Sequence, residues 1–143
     1  MRTLLLALAL AGCAPRAVGP PDAAPPAGAP ATGGLTLAAD RQAYARGASV
    51  RLELRNGSAA VATTGVLECA QFETWTGSAW VRSPVGNDRA CIMIARVLAP
   101  GETITGDVAA DVPAGSYRLT QSVSLEGAEE GVAVSTASFR VGG

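Results

Sequence analysis

Trp75 and Trp80, Glu68 and Glu73, the trio Glu126, Glu129 and Glu130, and the thiols of Cys13, Cys69 and Cys91 are the side chains with chemistry to offer. A serine or cysteine nucleophile needs a base beside it, and the usual base is missing, since none of the 143 residues is histidine. Glu68 and Glu73 fall on one predicted hairpin arm. Their odd spacing aims them at opposite faces of a regular strand, so they read as solvated charges and not as a paired acid and base. The Glu126, Glu129 and Glu130 trio could hold calcium loosely, but in a Gly-rich hairpin loop it reads as solubilising charge. No catalytic residue, metal site or cofactor is expected. Trp75 and Trp80 flank a predicted turn and could form a platform for stacking sugars or gripping protein. Core packing competes with that role and is favoured for Trp80, while Trp75 stands evenly between the two.

Cys13 belongs to a different part of the chain. Arg2, the apolar run Leu4 to Leu10 and the small residues that follow have the build of a secretion signal, and the run is too short to span a bilayer. The stretch Leu10-Ala11-Gly12-Cys13 resembles the lipobox of bacterial lipoproteins. That resemblance implies a signal peptide over 1–12, cleavage before Cys13, a diacylglycerol on its sulfur and a fatty acid such as palmitate on its new amino group. Each buried methylene contributes about 0.8 kcal/mol, so two or three chains would hold the protein at a membrane. Ala14 stands where Asp often marks inner-membrane retention, which favours the outer membrane in an organism with two. Residues 13–34 then form a Pro/Ala/Gly-rich linker with prolines at 15, 20, 21, 25, 26 and 30. Such a segment buries too little to offset its ordering entropy and is expected to be a disordered, partly polyproline spacer that needs no partner.

With Cys13 lipidated, Cys69 and Cys91 remain as an even pair in an exported chain, best read as one disulfide. All 11 basic residues are Arg, against 12 acidic ones, and no basic cluster occurs, so nucleic acid is not an expected partner. No second apolar run of membrane-spanning length follows the signal.

Residues 35–143 read as one all-β domain. Val50, Leu52 and Leu54 alternate with Arg51, Glu53 and Arg55, a period of two that buries one face. Val66 to Trp75 and Trp80-Val81-Arg82 form an expected hairpin about Thr76-Gly77-Ser78-Ala79. Ile92 to Leu98 and Thr103 to Val108 are further expected strands. Tyr117, Leu119, Val123 and Leu125 share a parity that only Gln121 breaks. The last strand is expected over about Val132 to Val141, with a bulge where the apolar parity shifts between Val134 and Phe139. No helical period persists, and about seven strands argue for a sandwich.

Several of these segments are similar to bacterial immunoglobulin-like domains: Tyr44-Ala45-Arg46-Gly47, the alternating strand closed by Asn56-Gly57-Ser58, Leu98-Ala99-Pro100-Gly101-Glu102, and Gly115-Ser116-Tyr117-Arg118-Leu119 with Phe139-Arg140-Val141. The resemblance implies an immunoglobulin-like antiparallel sandwich in which Tyr117 packs inward and hydrogen-bonds nearby backbone. The cysteines depart from the antibody pattern, so the bridge is expected to be a local clamp. Together these readings imply a cell-envelope lipoprotein presenting a non-catalytic interaction or structural domain to an envelope protein or glycan. Two alternatives stand beside it. One is a carbohydrate-binding module. The other is a protease inhibitor, because Ala62-Thr63-Thr64-Gly65 resembles the Thr-Thr-Gly loop of chagasin-type inhibitors, although the other loops of that family are absent.

Overall fold

The computed structural model describes residues 24, 25 and 31–143. The signal peptide, Cys13 and most of the linker lie outside the described residues. The strands, in chain order, are β1 (Leu35–Ala39), β2 (Ala43–Ala45), β3 (Ser49–Asn56), β4 (Ala62–Thr64), β5 (Gln71–Trp75), β6 (Trp80–Arg82), β7 (Arg96–Leu98), β8 (Thr103–Ala109), β9 (Gly115–Leu125), β10 (Val132–Ser135) and β11 (Phe139–Gly142). They form an immunoglobulin-like β-sandwich. One sheet has the order β1-β3-β8, and the other is organised around β9.

The long β9 carries two shorter strands along each edge. On one edge it pairs with β5 (Phe72 opposite Leu119) and then β4 (Ala62 opposite Leu125); on the other it pairs with β11 and then β10. β6 extends β5, β7 extends β4, and β2 lies parallel to β11. The period-two reading of β3 holds: Val50, Leu52 and Leu54 are buried and their neighbours exposed. They meet Phe72, Leu119, Val123, Val134 and Phe139 from the facing sheet. Phe72 contacts Tyr117 and Phe139 edge-on, at centroid distances of 5.9 and 6.4 Å.

Tyr117 is buried and donates its hydroxyl to the Pro113 carbonyl at 2.9 Å, as the immunoglobulin resemblance implied. Asn56 is buried with every side-chain valence used. Its Nδ2 donates to the Ala60 and Leu98 carbonyls at 2.8 and 3.1 Å, and its Oδ1 accepts from the Ser58 N–H and hydroxyl at 3.0 and 2.7 Å. Gln121 keeps the inward parity of β9 because its Nε2 donates to Thr64 Oγ1 at 2.8 Å, and that hydroxyl donates on to the Ser122 carbonyl.

Three expectations about strands are corrected. Val66 to Trp75 is not one strand: Leu67–Cys69 is a 3₁₀ turn, and β5 starts only at Gln71. Leu67 packs against β8 at Gly106, where a Cβ would stand 2.8 Å from Leu67 Cβ, so the turn seats itself where that strand lacks a side chain. Ile92 to Leu98 is strand only from Arg96 onward, because its partner β4 is three residues long. Ile92, Met93 and Ile94 are left exposed. The last strand is broken rather than bulged, and at the break Thr136 donates its N–H to the Leu119 carbonyl while its hydroxyl accepts the Leu119 N–H. The break adds one strand, and β1, β2 and β4, which the pattern did not mark, add three, giving eleven among the described residues where about seven were expected.

Candidate binding face

Register assigns the outward side chains of the β9 sheet to rows. Phe72 points into the core, so Gln71, Glu73 and Trp75 point outward from β5. Trp75 pairs with Trp80, and Glu73 pairs with Arg82 on one side and Arg118 on the other. Gln71 stands opposite Thr120, which stands opposite Ser135, and Ser116 stands opposite Arg140. The hairpin and β9 thus bring two indoles, a carboxylate, a guanidinium and two hydroxyls onto one outer face.

These groups contact one another. The Trp75 and Trp80 ring centroids are 5.3 Å apart, with planes tilted by 56°. Arg118 lays its guanidinium over the Trp80 ring, 4.9 Å from the centroid, and its Nε pairs with Glu73 Oε2. The same carboxylate oxygen accepts the Thr120 hydroxyl at 3.1 Å, and Thr120 shares a 2.8 Å hydrogen bond with Ser135. The Arg118 and Glu73 side chains are 23% and 22% exposed, so the pair is partly screened from water yet open to a ligand. Trp80 is therefore not a core residue: both tryptophans are half-buried on the outer face. Glu73 is likewise not a freely solvated charge, because β9 supplies it with a cation and a hydroxyl. Glu68 sits exposed on the 3₁₀ turn, apart from Glu73, and Glu126, Glu129 and Glu130 are exposed as expected.

Cys69 and Cys91 form the disulfide, with Cα atoms 5.7 Å apart. It joins the 3₁₀ turn to the loop before β7 at the sandwich surface, with Cys91 exposed, so it is a local clamp. Arg89 reinforces this corner: it donates to the Ala70 carbonyl and stands 5.4 Å from the centroid of Phe72. Burial pushes its pKa down, against the opposing charge of Asp88.

Two concave surfaces flank these features. One, of about 580 Å³, opens on the far side of Trp75 and is lined also by Ser116, Ser138, Arg140, Gln42 and the linker residues Ala24 and Pro25. The other, of about 400 Å³, lies between Thr63 to Val66 and the exposed Ile92-Met93-Ile94, beside the disulfide. Thr63 and Thr64 belong to β4, paired on both edges, and do not form a projecting loop. Among the described residues no group of three or more His, Cys, Asp or Glu could hold a metal ion, and no helix is long and apolar enough to cross a membrane.

No protein-family model matches the chain, and no curated protein matches it closely enough to count as a relative. The functional reading therefore rests on the site itself. Sequence reasoning found Trp75 and Trp80 but missed Glu73, Arg118, Thr120 and Ser135 as their companions. The parity of Phe72 and of Tyr117 and Leu119 already marked Glu73, Arg118 and Thr120 as outward, but which strands pair, and that Ser135 is buried beside Thr120, was not readable from it.

Proposed function

We propose that the chain is a lipoprotein of the cell envelope, anchored through Cys13, whose sandwich is a non-catalytic binding domain. The observation that carries the reading is the Trp75–Trp80 pair set beside the Arg118–Glu73 ion pair on the outer face of the sheet. The core does not use these groups, and their combination of stacking surface, fixed charge and hydroxyls suits a glycan or a protein surface. The lipobox-like Leu10-Ala11-Gly12-Cys13 supports the anchor, and the absence of histidine from the sequence argues against triad-type hydrolysis.

Two measurements test this. Cys13→Ala should release the chain from membranes and abolish palmitate labelling while leaving the sandwich folded; a variant still membrane-bound after a high-salt wash would defeat the anchor. Trp80→Ala and Arg118→Ala should each abolish retention on an envelope glycan or protein without lowering the yield of folded domain. A glycan array separates the two ligand classes, and enzyme-like hydrolysis of ester, peptide or glycoside substrates would overturn the binding-domain reading.

A protease-inhibitor reading draws on one observation, the exposed Ile92-Met93-Ile94 segment held beside Thr63 to Val66 by the disulfide. Papain-like and subtilisin-like proteases left uninhibited by micromolar protein would remove it.

A further inference from the structure

The groove beyond Trp75 has a construction that register explains. Trp75 forms one wall and Arg140 the other. Between them the outward residue of β9 is only Ser116, so a large, small, large sequence across three strands leaves a trough. Gln42 and Ser138 complete it. An indole wall lined with amide, hydroxyl and guanidinium donors is the surface that extended, proline-containing peptide requires. Such peptide offers stiff apolar rings and unpaired carbonyls, and proline lacks an N–H that would need an acceptor.

Ala24 and Pro25 already line this groove, and Pro25 is half-buried although it belongs to no strand. The geometry points to the groove as a binding site for proline-containing extended peptide, with the chain's own linker around Pro25 as its resident ligand. Charge agrees with this assignment. Arg140 forms no ion pair among the described residues, and the one carboxylate of the linker, Asp22, lies three positions before Pro25. Length agrees as well. Gly33 lies against Leu125 at the far end of β9, and the eight residue steps from Pro25 to Gly33 reach at most about 29 Å. The nine steps of β9 from Ser116 to Leu125 rise about 30 Å, so the linker covers that span only when it is close to fully extended, as the proposed peptide conformation requires.

A tethered ligand needs little intrinsic affinity, because a short linker presents it at a millimolar effective concentration. Docking would leave only the residues before Asp22 as free spacer and would cover the Trp75 flank until a competing proline-containing peptide displaced the linker. The groove abuts the binding face proposed above, and the following test needs no envelope ligand, so the two stand or fall separately.

In the full chain, Trp80→Phe leaves Trp75 as the sole indole reporter. Replacing residues 20–30 with Gly and Ser at equal length should shift its emission to the red and increase its quenching by acrylamide. A synthetic peptide of residues 19–31 should reverse both changes at about millimolar concentration, while having little effect on the natural chain. Asp22→Arg and Arg140→Asp should each expose Trp75, and together restore its protection. A Trp75→Phe chain that keeps Trp80 is the control, whose emission should not respond to linker replacement. Unchanged Trp75 emission and quenching on replacement, or a charge-reversed pair no better protected than its single variants, would overturn the proposal.

Discussion

Removing the disulfide by a Cys69→Ala, Cys91→Ala double substitution separates the entropy of the clamp from the stability of the core. The bridge spans a sequence separation of 22, and the loop-entropy relation for a loop of that size gives about 11 cal/mol/K, or about 3.4 kcal/mol at room temperature. Part of this is returned, because the freed segment around Cys91 also gains motion in the folded state; it pairs with no strand until Arg96. A net loss of about 2–3 kcal/mol is expected, and at roughly 4 °C per kcal/mol for a domain of this size the Tm should fall by about 8–12 °C. The sandwich should remain, since Leu35, Leu52, Leu54, Phe72 and Leu119 are buried without help from the bridge. Calorimetry and urea titration of the oxidised and the double-alanine chains check this. The substituted chain should also show a steeper urea dependence, because its unfolded state is no longer held compact. A Tm change of only about 2 °C would refute the unfolded-state argument, and a chain with no cooperative transition would show that the clamp holds the core itself.

Three further outcomes follow from the interior. Asn56→Ala removes four hydrogen bonds, one of them to the buried Leu98 carbonyl, and should cost about 2–4 kcal/mol by urea titration, while Asn56→Asp, which keeps the acceptor for Ser58 but sets a buried carboxylate oxygen against the Ala60 and Leu98 carbonyls, should cost at least as much at neutral pH. Tyr117→Phe loses the bond to the Pro113 carbonyl with the ring kept in place, and should lower stability by about 1 kcal/mol without touching the binding face. The third outcome concerns pH. The hydroxyl that Tyr44 donates to Asp40 holds the Asp40 carboxyl below its ordinary range, helped by the Arg51 N–H; burial, then the bond to Asp40, pushes Tyr44 up to about 12. A lowered carboxyl pKa contributes stability above the ordinary carboxylate range and loses it as pH falls through the lowered value, so the advantage of the natural chain over Asp40→Asn should be full at neutral pH and shrink in acid. The raised phenol does the reverse: its contribution is intact below the ordinary tyrosine value of about 10 and disappears as pH climbs through the raised one, a loss that Tyr44→Phe should not show.

What was legible in the sequence is what depends on one strand at a time. The alternation in Ser49–Asn56 exposed its buried face, the two tryptophans marked their turn, and the Tyr117 parity placed that ring in the core. What was not legible depends on which strands meet. Glu73 and Arg118 are 45 residues apart and touch only because β5 pairs with β9 in one particular register. A shift by one residue would have turned Arg118 to the other face. The spacing argument that put Glu68 and Glu73 on a common strand failed at the 3₁₀ turn, whose packing partner, the bare backbone at Gly106, lies in a strand nearly forty residues away. Ile92 to Ile94 had the composition of a strand and lacked a partner long enough to make it one.

The tryptophans show what the sequence reading lacked. Core packing was favoured for Trp80, and Trp75 stood evenly between the core and a platform, in a chain with two Trp, two Tyr and two Phe. The aromatic part of the core is Phe72, Phe139, Tyr44 and Tyr117, whose edge contacts run across the inner face of the β9 sheet. Both indoles are thereby released to the surface, where half-burial of such large apolar rings needs compensation that the fold supplies from outside: each ring covers the other, and Arg118 covers Trp80. The same reasoning applies to the linker. Its composition predicts a spacer because nothing within it can build a core, but a segment that cannot fold on itself can still be a ligand when a trough with an indole wall lies within its reach. Which of the two descriptions applies is decided by Trp75, through the protection it keeps or loses when Pro25 and its neighbours are replaced.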